Sequence, residues 1–374
     1  MNFVFHDRKI SGLLAVVPAN ERSFVEEMAK FNAPVSRSMK LKQVMGYDKH
    51  RLVAGPVCAS DLACFGLEHL FKNGWLDRDS IDALYVVSQS PDHFIPPTSS
   101  VIQGRLGLKQ DMFCMDITQG CAGFLIGLMQ AFLLLDQPSV RRVVLINVDV
   151  MSRKVSPRDR NSYPLIGDAC SITIVERGGP DIPIHASLKM DGTRRGALII
   201  PAGGFRIPPS PQTAILEADD DQNLRAADHL RMDGSAVFNF VQTEVPPMID
   251  ALFRAAQVTA EDVDYFLFHQ PNQFMLQKLA EAMNVPFGKM PSNIVEHYGN
   301  SSGVTIPMAI AHNLRDQVCH GTWRTCLAGF GVGLTWASML LRLGPLDFCD
   351  LIEFPEEAVE DAYDDDRRLQ EQAG

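Results

Sequence analysis

Apolar runs of strand length alternate along the chain with longer stretches of helical period. LYVVSQ, VVLINVDV and SITIV stand in the first half, and YFLFHQ, RTCLAGF and SMLLRL in the second. Among them lie amphipathic stretches such as LACFGLEHLFKNGWL and VPPMIDALFRAAQV, and one segment, FLIGLMQAFLLL, that is almost wholly apolar. Strands alternating with helices predict an α/β fold, and a helix apolar on every side predicts burial between layers.

The pattern occurs twice. SIDALYVVSQSPD around Asp82 follows an amphipathic stretch, as DVDYFLFHQPN does around Asp264, and the turn GCAG at Gly120–Gly123 precedes an apolar run, as GNSSG at Gly299–Gly303 does. Both pairs share nearly one offset, about 180 residues, which predicts an internal duplication. Gly and Pro in ERGGPDIP mark the break, giving halves 1–178 and 179–345 and then an acidic tail, 346–374. Nine acids and two arginines in Glu353–Gly374 make that stretch read as solvated. Pro201–Leu230 lacks periodicity and reads as an inserted surface loop, of the kind that lines a substrate entrance.

Composition narrows the function. The 374 residues are 46% hydrophobic and 21% charged, enough for a large core. A formal net charge of −11 argues against a nucleic-acid partner. No apolar run approaches the ~20 residues that cross a bilayer, so no membrane partner is expected. GLLAVVPA runs directly into NERSFVEE and reads as a first strand rather than a leader. Eight cysteines without a CxxC pair fit a reducing, cytoplasmic compartment. The chain has no metal-ligand spacing, no GxxxxGK loop and no GxGxxG fingerprint, so neither a metal nor a nucleotide cofactor is expected.

Three residues carry candidate chemistry. Cys121 follows a strand end and opens an apolar helix, where the helix dipole favours a thiolate and flanking small residues admit a substrate. The other seven cysteines read as small hydrophobes. His269 ends the apolar YFLF strand, where α/β proteins place active groups. Asn300 occupies the second copy's equivalent of the Cys121 turn. Nucleophile, imidazole and amide donor make a recognisable set. A papain-like hydrolase uses the same order, but its local cysteine signature is absent and the duplication argues against it.

DITQGCAGF, HQPN, GNSSGVTIP and GFGVGLTW, in that order and spacing, resemble the type III β-ketoacyl-carrier-protein synthases of the thiolase superfamily, from about Ser11 to Leu343. The resemblance implies a duplicated thiolase-like fold in αβαβα layers, a homodimer, and Cys121, His269 and Asn300 as the catalytic triad. It also implies acyl-coenzyme A and an acyl carrier protein as partners. Cys121 would take an acyl group from a thioester, and a malonyl thioester would then undergo decarboxylative condensation to a β-ketoacyl thioester. The oxyanion donors would be the N–H groups of Cys121 and Val332, the latter where the family normally has Gly; a β-branched residue tolerates a positive φ there poorly.

Further positions follow from the same resemblance. Arg160 matches a retained coenzyme-A-binding arginine, while Lys40 and Val44 stand where the family holds adenine with Trp and Arg. Phe274 replaces an arginine of the carrier-protein patch, with Lys278 one turn later. Ile95 stands where a Phe reaches the partner subunit's acyl pocket. Related condensing enzymes keep a glutamate base near that position; here the nearest carboxylate is Asp92, read as a turn residue. An acyltransferase passing the acyl group to an alcohol or amine, and a non-catalytic partner subunit, are the alternatives. Retention of Asn300 argues against the first, and the complete triad against the second.

Overall fold

In the computed structural model, which describes residues 1–179 and 181–355, two sheets are stacked face to face around buried helices. The main strands are β1 (Asn2–Phe5), β2 (Arg8–Pro18), β3 (Ala83–Val87), β4 (Phe113–Ile117), β5 (Arg142–Asp149), β6 (Ala169–Arg177), β7 (Ile184–Met190), β8 (Tyr265–Phe268), β9 (Trp323–Gly331), β10 (Thr335–Leu343) and β11 (Phe348–Phe354). The first sheet runs β11-β2-β6-β5-β3-β4, the second β1-β7-β10-β9-β8.

The expected duplication is visible in the pairing. In the first sheet β3 lies parallel to β5, and β5, β6 and β2 then pair antiparallel. In the second, β8 lies parallel to β9, and β9, β10 and β7 pair antiparallel. One clasp is repeated as well: the Asp82 carboxylate accepts the Arg142 N–H (3.1 Å), and the Asp264 carboxylate accepts the Arg324 N–H (2.8 Å).

The principal helices are α1 (Val35–Met45), α2 (Ala59–Lys72), α3 (Gly123–Leu134), α4 (Gly234–Ala256), α5 (Gln273–Ala282) and α6 (Thr305–Asn313). Helix α2 packs Leu62 and Leu67 on the outer face of the first sheet. Helices α4 and α5 cover the outer face of the second with Phe240, Leu252 and Leu276. Between the sheets, α3 and α6 bury Phe124, Phe132, Ile306 and Ile310, which explains why the α3 sequence is apolar on every side. The result is five layers, αβαβα.

The sequence boundaries need one correction. Residues 348–354 are not tail: β11 lies parallel to β2 at the edge of the first sheet. Its acids gave the segment a solvated look, but Asp350 pairs with Arg315 at 2.9 Å and Glu353 with Arg51 at 3.1 Å. Conversely β1 joins the second sheet beside β7, so each terminal strand completes the sheet of the other half. The rest of the expected tail, 356–374, lies outside the described residues.

Candidate active site

Cys121 sits in the turn between β4 and α3, two residues before the first helical residue. The end of β9 passes directly against it: a Cβ on Gly331 would stand 2.7 Å from the Cys121 sulfur, so only glycine allows this approach. The next residue, Val332, donates its backbone N–H to the sulfur, as does Cys121 itself. Val332 has no positive φ; that conformation falls on its neighbour Gly333 (φ 135°). The β-branched residue therefore fits without strain, contrary to the expectation.

Burial works against ionisation of the sulfur. Burial outweighs the Val332 N–H and the Ser302 hydroxyl, the Asp149 carboxylate adds to it, and the thiol is pushed up to about 11.

His269 follows β8 directly, its N–H bonded to the Ala328 carbonyl at 2.8 Å. Burial pushes the imidazole down to about 3, so the ring is neutral. Its Nδ1 lies 2.8 Å from Thr305 Oγ1. That hydroxyl also accepts the Gln270 N–H and donates to the Ser302 carbonyl at 3.0 Å.

Asn300 is held through its backbone between Leu165 and Gly167, in a short parallel bridge. Its Oδ1 accepts the Ser302 N–H at 2.9 Å, leaving the amide nitrogen free for a ligand. Ser302 can make this bond because it adopts φ 57°, unusual for a residue with a side chain. Cys121, His269 and Asn300 open together into one cavity of about 730 Å³. Asp219, Asp221 and Arg225 of the inserted loop line it too, so that segment does border the site.

Two family models match this chain: 3-oxoacyl-[acyl-carrier-protein (ACP)] synthase III over residues 115–192, and the C-terminal part of the same synthase over residues 253–343. A β-ketoacyl-[acyl-carrier-protein] synthase III of Synechocystis is 33% identical over 267 residues, covering 71% of this chain and 78% of its own. The chain belongs to this family. A synthase III of Lactococcus lactis is 28% identical over 327 residues, 86% of this chain and 97% of its own. The crystal structure of a 3-oxoacyl-(acyl-carrier protein) synthase from Burkholderia xenovorans superposes with a TM-score of 0.87 at 32% identity, covering 95% of this chain and 99% of that one. The layered, duplicated architecture is thus the thiolase-like fold of the type III synthases.

Within this family member the remaining expected residues are scattered. Phe274 lines the cavity, stacked on Phe238 with ring centroids 5.8 Å apart. Arg160 is buried and turned to Asp221, 3.4 Å away, so it anchors a residue of the cavity wall. Lys40 borders a separate surface cavity with Tyr47 and Gln273, and Val44 is exposed. Lys278 is paired with Glu281. Ile95 is 85% exposed, outside the cavity. Asp92 accepts the Ser60 N–H at 3.1 Å in the first turn of α2.

Sequence reasoning missed a group behind the sulfur. Asp149, buried at the end of β5, accepts the Gln89 N–H at 2.7 Å. The Gln89 side-chain amide reaches both Asp149 Oδ2 (3.3 Å) and Ser302 Oγ (2.9 Å). The usable signal was a lone acid closing a largely apolar strand, the same placement that singled out His269.

Proposed function

We propose that this type III synthase transfers an acyl group from acyl-coenzyme A to Cys121 and condenses it with a malonyl thioester, releasing carbon dioxide and a β-ketoacyl thioester. One observation carries the assignment: the nucleophile, the neutral imidazole and the free carboxamide share a single cavity. In the first step the sulfur attacks the thioester carbonyl, and the Cys121 and Val332 N–H groups hold the oxyanion. In the second, His269 Nε2 and the Asn300 amide hold the malonyl carbonyl as its carboxylate leaves. The enolate carbon then attacks acyl-Cys121. Both steps balance without a redox or metal centre. The family's activity makes this a condensing acyltransferase of fatty-acid synthesis, with an acyl carrier protein bearing the malonyl group.

A second copy of the chain fits the surface around Ile95. Phe94 and Phe205 are 73% and 89% exposed and touch each other at 5.3 Å between ring centroids, an apolar patch that a homodimer would cover. Cytoplasmic placement rests on cysteine usage. The decisive experiment is intact-protein mass spectrometry with a panel of acyl-coenzyme A thioesters, followed by malonyl-carrier protein. The expected result is one acyl adduct, absent from Cys121→Ala, discharged with release of carbon dioxide. Equal labelling of Cys121→Ala would sink the assignment, and discharge to an alcohol or amine without carbon dioxide would favour the simple acyltransferase.

A further inference from the structure

The cavity that holds Cys121 is bordered by the inserted loop, part of which is a short hairpin: Glu217–Ala218 pairs antiparallel with Leu224–Arg225. Its tip is tied down at several points. The Asp219 carboxylate accepts the Asp221 N–H at 3.0 Å and the Asn223 N–H at 2.8 Å, and the Asn223 side-chain oxygen accepts the Arg160 N–H at 3.2 Å. These bonds hold Asp221 against two arginines of other elements. Arg37, in the first turn of α1, donates to its carboxylate at 3.2 Å, and the Arg160 guanidinium lies 3.4 Å from the same oxygen. Arg160 is only 6% exposed and Asp221 55%, so the carboxylate is the outer member of the pair, at the cavity mouth. The Arg160 contacts, 3.4 Å to the carboxylate and 3.5 Å to the Asp221 carbonyl, are long beside the ~2.7–2.9 Å of a tight charged bond. The third arginine of this wall, Arg225, is taken in the same way by Asp219 and Asp159.

Two guanidiniums converging on one carboxylate make a seat that any anion can take. An acyl-coenzyme A with its thioester at Cys121 runs outward through an uncharged pantetheine arm to a pyrophosphate and a phosphomonoester. The charged residues lining the cavity are Asp219, Asp221, Asp233 and the already paired Arg225. We propose that Asp221 is a specificity-determining residue for the acyl donor: a tethered anion that occupies Arg37 and Arg160 in place of the donor's phosphates. It thereby disfavours the nucleotide end of coenzyme A relative to a pantetheine thioester that lacks it. A phosphate gains the two arginines only by displacing Asp221, and the displaced carboxylate stays on the hairpin at high effective concentration. The uncharged arm meets no such competitor. Repulsion from the neighbouring acids acts in the same direction.

The inference rests on the function proposed above and deepens it, and two measurements keep them apart. Calorimetry with free coenzyme A needs no reaction. Asp221→Asn, which keeps the side-chain shape and removes the charge, should bind it about five- to twentyfold more tightly than wild type. Acylation is then timed by mass spectrometry with the acyl group identified by the panel above, carried on coenzyme A and on pantetheine. The ratio of kcat/KM for coenzyme A to that for pantetheine should rise in Asp221→Asn by a similar factor, through KM. A merely structural role would move both donors together and leave the ratio alone. Adding Arg37→Ala to Asp221→Asn should reverse part of the gain, because one of the freed cations is then missing. Unchanged or weaker binding of coenzyme A by Asp221→Asn, an unchanged ratio, or a gain that survives the loss of Arg37 in full overturns the proposal. Labelling of Cys121→Ala overturns the function instead, and the calorimetry still decides the role of Asp221.

Discussion

Strands β5 and β9 are the same element in the two halves, brought into register by the Asp82–Arg142 and Asp264–Arg324 clasps, yet they end in opposite ways. Seven residues beyond Arg324, β9 ends in Gly331, bare backbone lying against the Cys121 sulfur. Seven residues beyond Arg142, β5 ends in Asp149, a buried carboxylate among Ser88, Gln89 and Ser302. The helix starts differ too. In the first half Cys121 stands two residues before α3; in the second, a turn of 3-10 helix (Ser302–Val304) intervenes before α6 and sets Asn300 back. A duplicated scaffold has thus been specialised: one copy offers an atom that reacts, the other removes atoms so that it can be approached.

Filling the empty strand end should have the largest effect. Gly331→Ala places a methyl within 2.8 Å of both the sulfur and the Cβ of Cys121, and acyl labelling should fall more than about 10²-fold while the protein stays folded by circular dichroism. Next is the hydroxyl that sets the imidazole. Thr305→Val should slow condensation about ten- to 10²-fold and leave acylation far less affected, a split visible when the two half-reactions are timed separately.

The clasps should differ in strength. Asp82 accepts the Arg141 and Arg142 N–H groups and the Lys109 ammonium, whereas Asp264 accepts the Arg324 N–H. Asp82→Ala should cost about 1–3 kcal/mol in urea unfolding and Asp264→Ala less. Burial opposes ionisation of Asp82, but those N–H groups and Lys109 prevail and hold its carboxyl below the usual value. A depressed folded value means the contribution is complete above about pH 4 and fades as the pH falls through that value. The gap between Asp82→Ala and wild type should therefore close in acid. Smallest of all is Val332→Gly, expected to change acylation less than about twofold, since the donor is backbone and no positive φ has to be relieved.

Much of this was legible in the sequence because it rests on local pattern. Buried strands such as LYVV and YFLF, the wholly apolar α3 and the repeated Asp82 and Asp264 report layer, order and duplication directly. Cys121, His269 and Asn300 stood out because each closes or opens an element. Interactions between elements distant in the chain did not stand out. Ser302 looks like one more small residue in GNSSG, and only its φ and its bonds to Gln89 and Asn300 reveal it. At Cys121 the helix start is visible in sequence, while the burial and the Asp149 carboxylate that push its thiol up are not. β11 was hidden by acids whose partners, Arg315 and Arg51, lie far away in the chain.

The exchanged terminal strands impose an order on synthesis. The first sheet lacks its β2 neighbour until Phe348–Phe354 has left the ribosome, although every other strand of that sheet was made by Arg177. Pairing across so long a stretch of chain is slow to close. The nascent N-terminal half therefore carries an open edge beside β2 until synthesis is nearly complete.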